Sequence, residues 1–217
     1  TEIVLRPYRG ELTLLDGRGE GGGVYFATTG VGVRLPGARP SLGRIREGDA
    51  VIISGTIGDH GTAVMLARED FDLRGNLASD SASVAPLTES LLAFDGLRFM
   101  RDPTRGGVAS VANEIRRATG LGLRFEANLP VAEAVQSVCD MLGYDPCYLA
   151  SEGRVIAVVA PDQADAAVET LQKHDGGRSA ARVGTITGHG TRVTLRTALG
   201  GERFLEELED DPLPRIC

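Results

Sequence analysis

Near the middle of the chain the sequence reads Arg101-Asp102-Pro103-Thr104-Arg105-Gly106-Gly107 and leads into a helical pattern. Apolar residues recur at helical spacing over residues 107–119, and Gly120 supplies a stop. Two glycines before a helix let backbone N–H groups approach an anion, and Arg105 can pair with phosphate oxygens. Two interpretations remain open. The loop binds phosphate, with Asp102 holding a magnesium ion, or Asp102 and Thr104 merely cap the helix.

Strands and helices alternate on both sides of this loop. Before it, we predict a buried strand at 50–54 and helices over 60–69 and 85–94. After it, we predict strands at 122–126, 155–159, 181–186 and 191–197, with helices over 131–142 and 164–173. This order, with antiparallel pairing towards the end, predicts an α/β or α+β fold in which helices cover a layered mixed β-sheet.

The composition changes at residues 36–48, where we expect a domain boundary. Residues 1–45 are interpreted as the remnant of an amino-terminal strand region, with a strand at 24–29, and a linker. Residues 46–209 form one α/β domain. Residues 210–217 form a flexible tail that Pro212 and Pro214 keep extended and that ends in a reactive cysteine.

Charge and hydropathy exclude several classes of function. The net charge of −7 comes with no basic stripe, so nucleic acid is not expected as a partner. No run approaches the roughly 20 apolar residues that cross a membrane, and the chain does not begin like a secretory signal, so we expect a cytoplasmic protein. Lys173 is the only lysine, which leaves anion binding to arginine.

The three cysteines fit neither a zinc site nor an even set of disulfides. Cys139 follows an apolar helical pattern and is interpreted as a small buried hydrophobe. Cys147 lies in a turn beside Pro146 and is undecided, although burial is preferred. Cys217 ends the extended tail, where an exposed thiol is an oxidation liability that needs a reason. We expect an active role for Cys217, and the alternative is a terminal cysteine without function.

Two further residues are candidates for proton transfer. Glu152 stands in Ser151-Glu152-Gly153-Arg154, directly before a predicted strand, where partial burial would suit it to act as a base. A solvated carboxylate is the alternative. His60, in Gly58-Asp59-His60-Gly61, either belongs to a site or is a polar helix cap.

Five different short motifs are spread along the chain: Gly58-Asp59-His60-Gly61, Ser79-Asp80-Ser81, the loop 101–107, Thr197-Ala198-Leu199-Gly200-Gly201 and Leu213-Pro214-Arg215-Ile216-Cys217. In this order they resemble the HypE family of hydrogenase maturation proteins, from about Val24 to Cys217. The ending is the specific motif. The loop is shared with the superfamily of aminoimidazole ribonucleotide synthetase, selenophosphate synthetase and thiamine-phosphate kinase, whose carboxy-terminal domain gives the expected fold.

The resemblance implies an ATP-dependent carbamoyl dehydratase. HypF carbamoyltransferase loads a carbamoyl group onto the terminal thiol, ATP phosphorylates the amide oxygen, and loss of phosphate leaves a thiocyanate. The cyano group then passes to iron on the HypC–HypD scaffold of nickel–iron hydrogenase assembly. Glu152 matches the glutamate of the family's Asn-Glu-Gly pattern, proposed as the proton acceptor, although Ser151 replaces the asparagine.

The resulting site has two parts. Cys217, Glu152 and His60 form the catalytic set. The ATP-binding set is Asp102, Thr104, Arg105, Gly106 and Gly107, with Asp102 also holding Mg²⁺.

The chain also departs from this superfamily. Its members place much of the ATP and magnesium site in an amino-terminal domain that carries acidic residues and a lysine. Because no lysine precedes Lys173, we expect this chain to be the carboxy-terminal part of such a protein. A homodimer completes the expected partners, although members of the superfamily pair largely through the other domain. The alternatives are a non-catalytic module that docks on maturation partners, and another ATP-dependent synthetase or kinase of the superfamily.

Overall fold

The computed structural model describes residues 40–67 and 77–208. The chain divides between Ala38 and Arg39 into two units, and every described residue belongs to the second. The described strands are β1 Ala50–Ile53, β2 Leu97–Arg101, β3 Leu121–Phe125, β4 Ile156–Val159, β5 Ala181–His189, β6 Val193–Arg196 and β7 Glu202–Phe204. The described α-helices are α1 Asp59–Ala67, α2 Ala85–Leu91, α3 Gly107–Thr119, α4 Glu133–Leu142 and α5 Ala164–Gln172.

Within the described residues, seven strands form one mixed sheet in the order β2-β4-β1-β5-β3-β6-β7. Strand β3 pairs parallel with β6, and the other neighbours are antiparallel. Strand β4 therefore lies between β1 and β2 and runs antiparallel to both. Its beginning lies beside their ends, since Ile156 pairs with both Ile53 and Arg101.

The sheet is buried on both faces because apolar residues fill both positions of the two-residue strand repeat. On β1, Val51 and Ile53 join the apolar cluster around α3, whereas Ile52 joins the cluster under α2 and α5. Strand β4 divides in the same way. The result is a layered α/β structure with helices on both sides of the sheet, which confirms the predicted fold class.

A third apolar cluster lies between α1 and α4. Met65 of α1 packs with Val135, Val138 and Cys139 of α4 and with Leu149. The cluster fixes α1, and with it the loop 54–58, against the segment that precedes β4.

The sequence predicted most of these elements and missed two strands. The helix predicted over 107–119 is α3, and Gly120 ends it in the left-handed conformation. Strand β2 was missed because it carries two arginines in five residues, and β7 because it has three exposed residues. The predicted strand at 24–29, the linker before residue 40 and the predicted end of α1 at Glu69 lie outside the described residues. None of the helices formed by the described residues is long and apolar enough to cross a membrane.

Candidate functional site

Four loops gather at one end of the sheet. Residues 54–58 follow β1, residues 102–106 follow β2, and residues 151–155 lead into β4. The antiparallel pairing of β4 with both strands brings these loops together. Residues 79–82 join them, because Asp80 accepts a hydrogen bond from the Glu152 N–H. Three motifs that are distant in sequence thus meet in one place, namely residues 79–81, 101–107 and 151–154.

An open cleft of about 430 Å³ lies between the loop after β2, the segment before β4 and the first turns of α3. It is lined by Arg101, Asp102, Thr104, Arg105, Ser110, Val111, Glu114 and Glu152. The predicted catalytic Glu152 and three residues of the predicted ATP-binding set therefore share one cleft. A second cleft of about 200 Å³ shares Arg105 and Ser110 with the first and adds Gly106, Tyr148 and residues 206–208.

Gly106 and Gly107 shape the beginning of α3. Both have left-handed backbone, with φ of +67° and +57°. A Cβ atom at Gly107 would lie 2.5 Å from the Cys147 carbonyl oxygen, so close packing as well as conformation requires glycine there. The Gly107 N–H donates to the Thr104 carbonyl at 3.2 Å. An anion at this helix start would therefore meet other donors than the Gly107 amide.

The cleft carries both signs of charge. Arg101 donates to Glu114 across its wall, and the two side chains form an ion pair. Asp102 is exposed, whereas Glu152 is half buried. This mixture suits a ligand that brings phosphate together with a cation.

The backbone around Glu152 is held on both sides. The Ser151 N–H donates to the Pro103 carbonyl at 3.0 Å, and the buried Ser151 hydroxyl accepts from the Gly58 N–H at 2.9 Å. Gly153 has no room for a side chain, since a Cβ atom would lie 1.8 Å from the Asp80 carbonyl oxygen. These contacts fix the edge of the cleft that presents Glu152.

Arg154 ties the loops together, a role that the sequence did not predict. Its guanidinium donates to the Thr56 carbonyl at 3.0 Å and to the Gly176 carbonyl at 3.2 Å. It also lies 3.4 Å from a carboxylate oxygen of Asp59 and 3.4 Å from one of Asp80. The acidic residues in the motifs 58–61 and 79–81 were the available signal, because buried carboxylates require a cation.

His60 contacts a neighbouring loop and does not line the cleft. Its Nδ1 lies 2.8 Å from the Ser79 hydroxyl, and the residue is the second of α1. This contact fits the interpretation of His60 as a polar residue at the helix start, and its assignment to the catalytic set stays a prediction.

The two cysteines within the described residues are buried and unpaired. Burial raises the pKa of the Cys139 thiol to about 11, and it raises the pKa of the Cys147 thiol well above its ordinary value, with Asp145 adding to both effects. These thiols are therefore protonated and enclosed, as expected for Cys139 and preferred for Cys147. Cys217 lies outside the described residues.

No group of three histidine, cysteine, aspartate or glutamate side chains in the described ranges is placed to hold a metal ion. A metal at Asp102 would thus need most of its ligands from elsewhere. This condition fits magnesium, which commonly takes one or two carboxylates and completes its shell with phosphates and water.

Residues 46–196 match the family of AIR synthase related proteins, C-terminal domain. The chain is 40% identical over 202 residues to the carbamoyl dehydratase HypE of Azotobacter vinelandii, which covers 92% of this chain and 59% of that protein. A solved HypE–HypF complex matches with a TM-score of 0.76 and 40% identity, over 80% of this chain and 57% of the other. HypE solved in complex with ATP matches with a TM-score of 0.72 and 38% identity, over 80% and 54%.

Proposed function

Because this chain belongs to the family of AIR synthase related proteins, through their C-terminal domain, we propose that it performs the carbamoyl dehydration of nickel–iron hydrogenase maturation. In this proposal a carbamoyl group on the Cys217 thiol is converted to a thiocyanate with ATP, and the product supplies the cyanide ligands of the active-site iron. The chain spans 59% of the length of its Azotobacter vinelandii relative, so the activity is assigned to the encoded protein as a whole.

One observation carries the proposal: a candidate base and a candidate phosphate loop line the same cleft. Glu152 arrives from the segment before β4, whereas Asp102, Thr104 and Arg105 arrive from the loop after β2. Dehydration of an amide needs both groups, since the oxygen must be phosphorylated and the nitrogen must lose protons. A structural cap at α3 would not need Glu152 beside it.

The loop side of the cleft would hold the phosphates of ATP. Thr104 and Arg105 supply a hydroxyl and a guanidinium, and the amino-terminal end of α3 favours negative charge. Asp102 would hold Mg²⁺ together with the phosphates, and the ion would neutralise charge as the phosphoryl group is transferred. HypE solved in complex with ATP supports nucleotide binding in relatives.

The reaction then proceeds on the carbamoyl thioester. Transfer of the γ-phosphoryl group of ATP to the carbamoyl oxygen releases ADP. The carbon–oxygen bond breaks as phosphate leaves, and the nitrogen gives up its two protons, so that a thiocyanate remains on the sulfur. Glu152 is the proposed proton acceptor, because it lines the cleft while its backbone is fixed.

Of the three cysteines, Cys217 suits the role of carrier. Burial and a raised pKa exclude Cys139 and Cys147 as acceptors of a carbamoyl group. Cys217 lies nine residues after Leu208, which lines the smaller cleft beside Arg105. Nine residues span at most about 30 Å, which is long enough to bring a thiol into the neighbouring cleft.

The proposed partners follow from the step that loads the thiol and the step that transfers the product. A HypF-type carbamoyltransferase loads the thiol, which the solved HypE–HypF complex supports. A HypC–HypD scaffold accepts the cyano group, and a homodimer is the further proposed assembly. One thiol cannot meet the loading enzyme and the ATP cleft at once, so loading and dehydration would be separate steps.

Mass spectrometry of the encoded protein, incubated with HypF, carbamoyl phosphate and ATP, tests the proposal. We expect the wild type to gain a carbamoyl group on Cys217 and then to lose one water from that adduct. Glu152→Gln keeps the shape of the side chain but lacks the basic carboxylate. It should still be carbamoylated, and dehydration should slow by about 100-fold, so that the carbamoyl adduct accumulates.

Glu126→Gln is the matched control, because Glu126 is also half buried but pairs with Arg124 and Arg196 away from the cleft. It should dehydrate at the wild-type rate. An unmodified Cys217 in the wild type would contradict the proposal and favour a docking module. Phosphoryl transfer that survives Cys217→Ala would instead favour another synthetase or kinase of the superfamily.

A further inference from the structure

The backbone of Glu152 is tied to a carboxylate from a distant part of the chain. The Glu152 N–H donates to Asp80 Oδ1 at 3.1 Å, across 72 residues of sequence. Asp80 Oδ2 lies 3.4 Å from Arg154 Nε, and the Asp80 side chain is only 1% exposed. The carboxylate therefore joins the proposed base to a buried arginine.

Arg154 is itself immobilised from several directions. Its side chain is 16% exposed and donates to the carbonyl and hydroxyl of Thr56, after β1, and to the Gly176 carbonyl, after α5. A guanidinium held in this way has a fixed plane. It can hold Asp80 in one orientation, with Oδ1 turned towards Glu152.

A gain in stability does not by itself explain why the Asp80 carboxylate is buried. Asp80 Oδ2 makes no hydrogen bond within the described part of the chain and relies on the ion pair with Arg154. Buried ion pairs often contribute little net stability, because desolvation offsets the attraction. The placement is better explained by what Asp80 holds than by the stability that it adds.

We propose that Asp80 and Arg154 are positioning residues that fix the Glu152 carboxylate towards the cleft. The inference rests on the proposed dehydratase function. Asp80 holds the Glu152 amide, Arg154 orients Asp80, and the absence of a side chain at Gly153 lets the segment lie directly against residue 80. A small displacement of a catalytic group slows a reaction by a large factor, whereas nucleotide binding at the loop 102–106 should be unaffected.

Single-turnover dehydration of the carbamoylated protein tests this proposal with Asp80→Ala and Asp80→Asn. The Ala variant loses both contacts, and we expect dehydration to slow by about 100-fold. The Asn variant keeps an oxygen acceptor for Glu152 but not the charge opposite Arg154, so a loss of about 10-fold is expected. The affinity for ATP should stay at the wild-type value in both variants.

Asp49→Asn is the matched control. Asp49 is also buried, at 2% exposure, and pairs with Arg98, but it lies before β1, at the opposite end from the cleft. All three aspartate variants should lower the melting temperature, whereas only the two Asp80 variants should slow dehydration. Normal rates in the Asp80 variants would overturn the proposal, as would an equal slowing in Asp49→Asn.

Amide hydrogen exchange at Glu152 provides a readout that does not depend on the reaction. Protection of this amide should fall in Asp80→Ala and persist in Asp49→Asn, since only the former removes its acceptor. Persistent protection in Asp80→Ala would overturn the positioning contact. If the wild type itself forms no thiocyanate, the proposed function fails, and the exchange result alone decides whether Asp80 positions Glu152.

Discussion

The two ends of strand β1 both bury an aspartate paired with an arginine, yet the pairs are built differently. Before β1, Asp49 closes a local turn by accepting the Arg46 N–H at 2.8 Å, and Arg98 Nε lies 3.6 Å away. After β1, Arg154 contacts Asp59, Asp80 and Thr56, which are 74 to 98 residues distant in sequence.

This difference separates a buried charge that closes one turn from a buried charge that connects several loops. The Asp49 pair could be lost with the turn still closed by its neighbours, because the backbone of Asp49 also bonds to Ile186. The Arg154 cluster is the meeting point of several loops, one of which presents Glu152. The end at which one side chain connects several loops is the end that bears the cleft.

The largest effect should come from removing Arg154, and removing Arg98 should have a much smaller one. Arg154→Met leaves Asp59 and Asp80 buried without their cation, and we expect a loss of about 4 kcal/mol in the free energy of unfolding. Arg98→Met leaves Asp49 with the Arg46 N–H, so about 1 kcal/mol is expected. Urea unfolding measures both, and equal losses would erase the distinction between the two ends.

A glycine at each end gives a second, smaller contrast. A Cβ atom at Gly153 would lie 1.8 Å from the Asp80 carbonyl oxygen, whereas one at Gly43 would meet nothing within 4 Å. Gly153→Ala must move the segment, and we expect a loss of about 3 kcal/mol in the free energy of unfolding. Gly43→Ala should change it by about 0.5 kcal/mol or less. A tolerated alanine at 153 would mean that the segment is less constrained than its contacts indicate.

The sequence predicted the elements whose pattern is local. The apolar run at 50–54 gives β1, and helical periodicity over 107–119 gives α3. Strand β2 escaped because it is an edge strand of mixed polarity, half buried against β4 alone. A mixture of polar and apolar residues in so short a segment does not distinguish a strand from a loop.

The candidate site was predictable in part for the same reason. The loop 101–107 and Glu152 carry recognisable local motifs, and the structure brings them to one cleft. The roles of Asp80 and Arg154 depend on contacts across 72 residues or more, which no local pattern encodes. The cleft could therefore be predicted from the sequence, but not the contacts that hold Glu152 in place.

The smallest effect concerns how stability at the Asp49 end changes with pH. Burial raises the pKa of the Asp49 carboxyl above its ordinary value of 3.8, and this outweighs the Arg46 N–H and Arg98, which lower the pKa. The folded state therefore holds the Asp49 proton more tightly than the unfolded state. The stability from this group is fully present below 3.8 and is lost as pH rises through the higher folded pKa.

Asp49→Asn isolates this contribution, because asparagine does not titrate and leaves Arg98 unpaired at every pH. The free energy of unfolding of the wild type minus that of the variant should be greatest near pH 4 and fall towards pH 7, by about 1 kcal/mol or less. Urea unfolding of both proteins across that range measures the difference. A difference that grows with pH would show that the Arg98 ion pair dominates over burial. Asp49 would then be a charge held by its arginine, as we infer for Asp80, and the two ends of β1 would differ in their connections but not in their electrostatics.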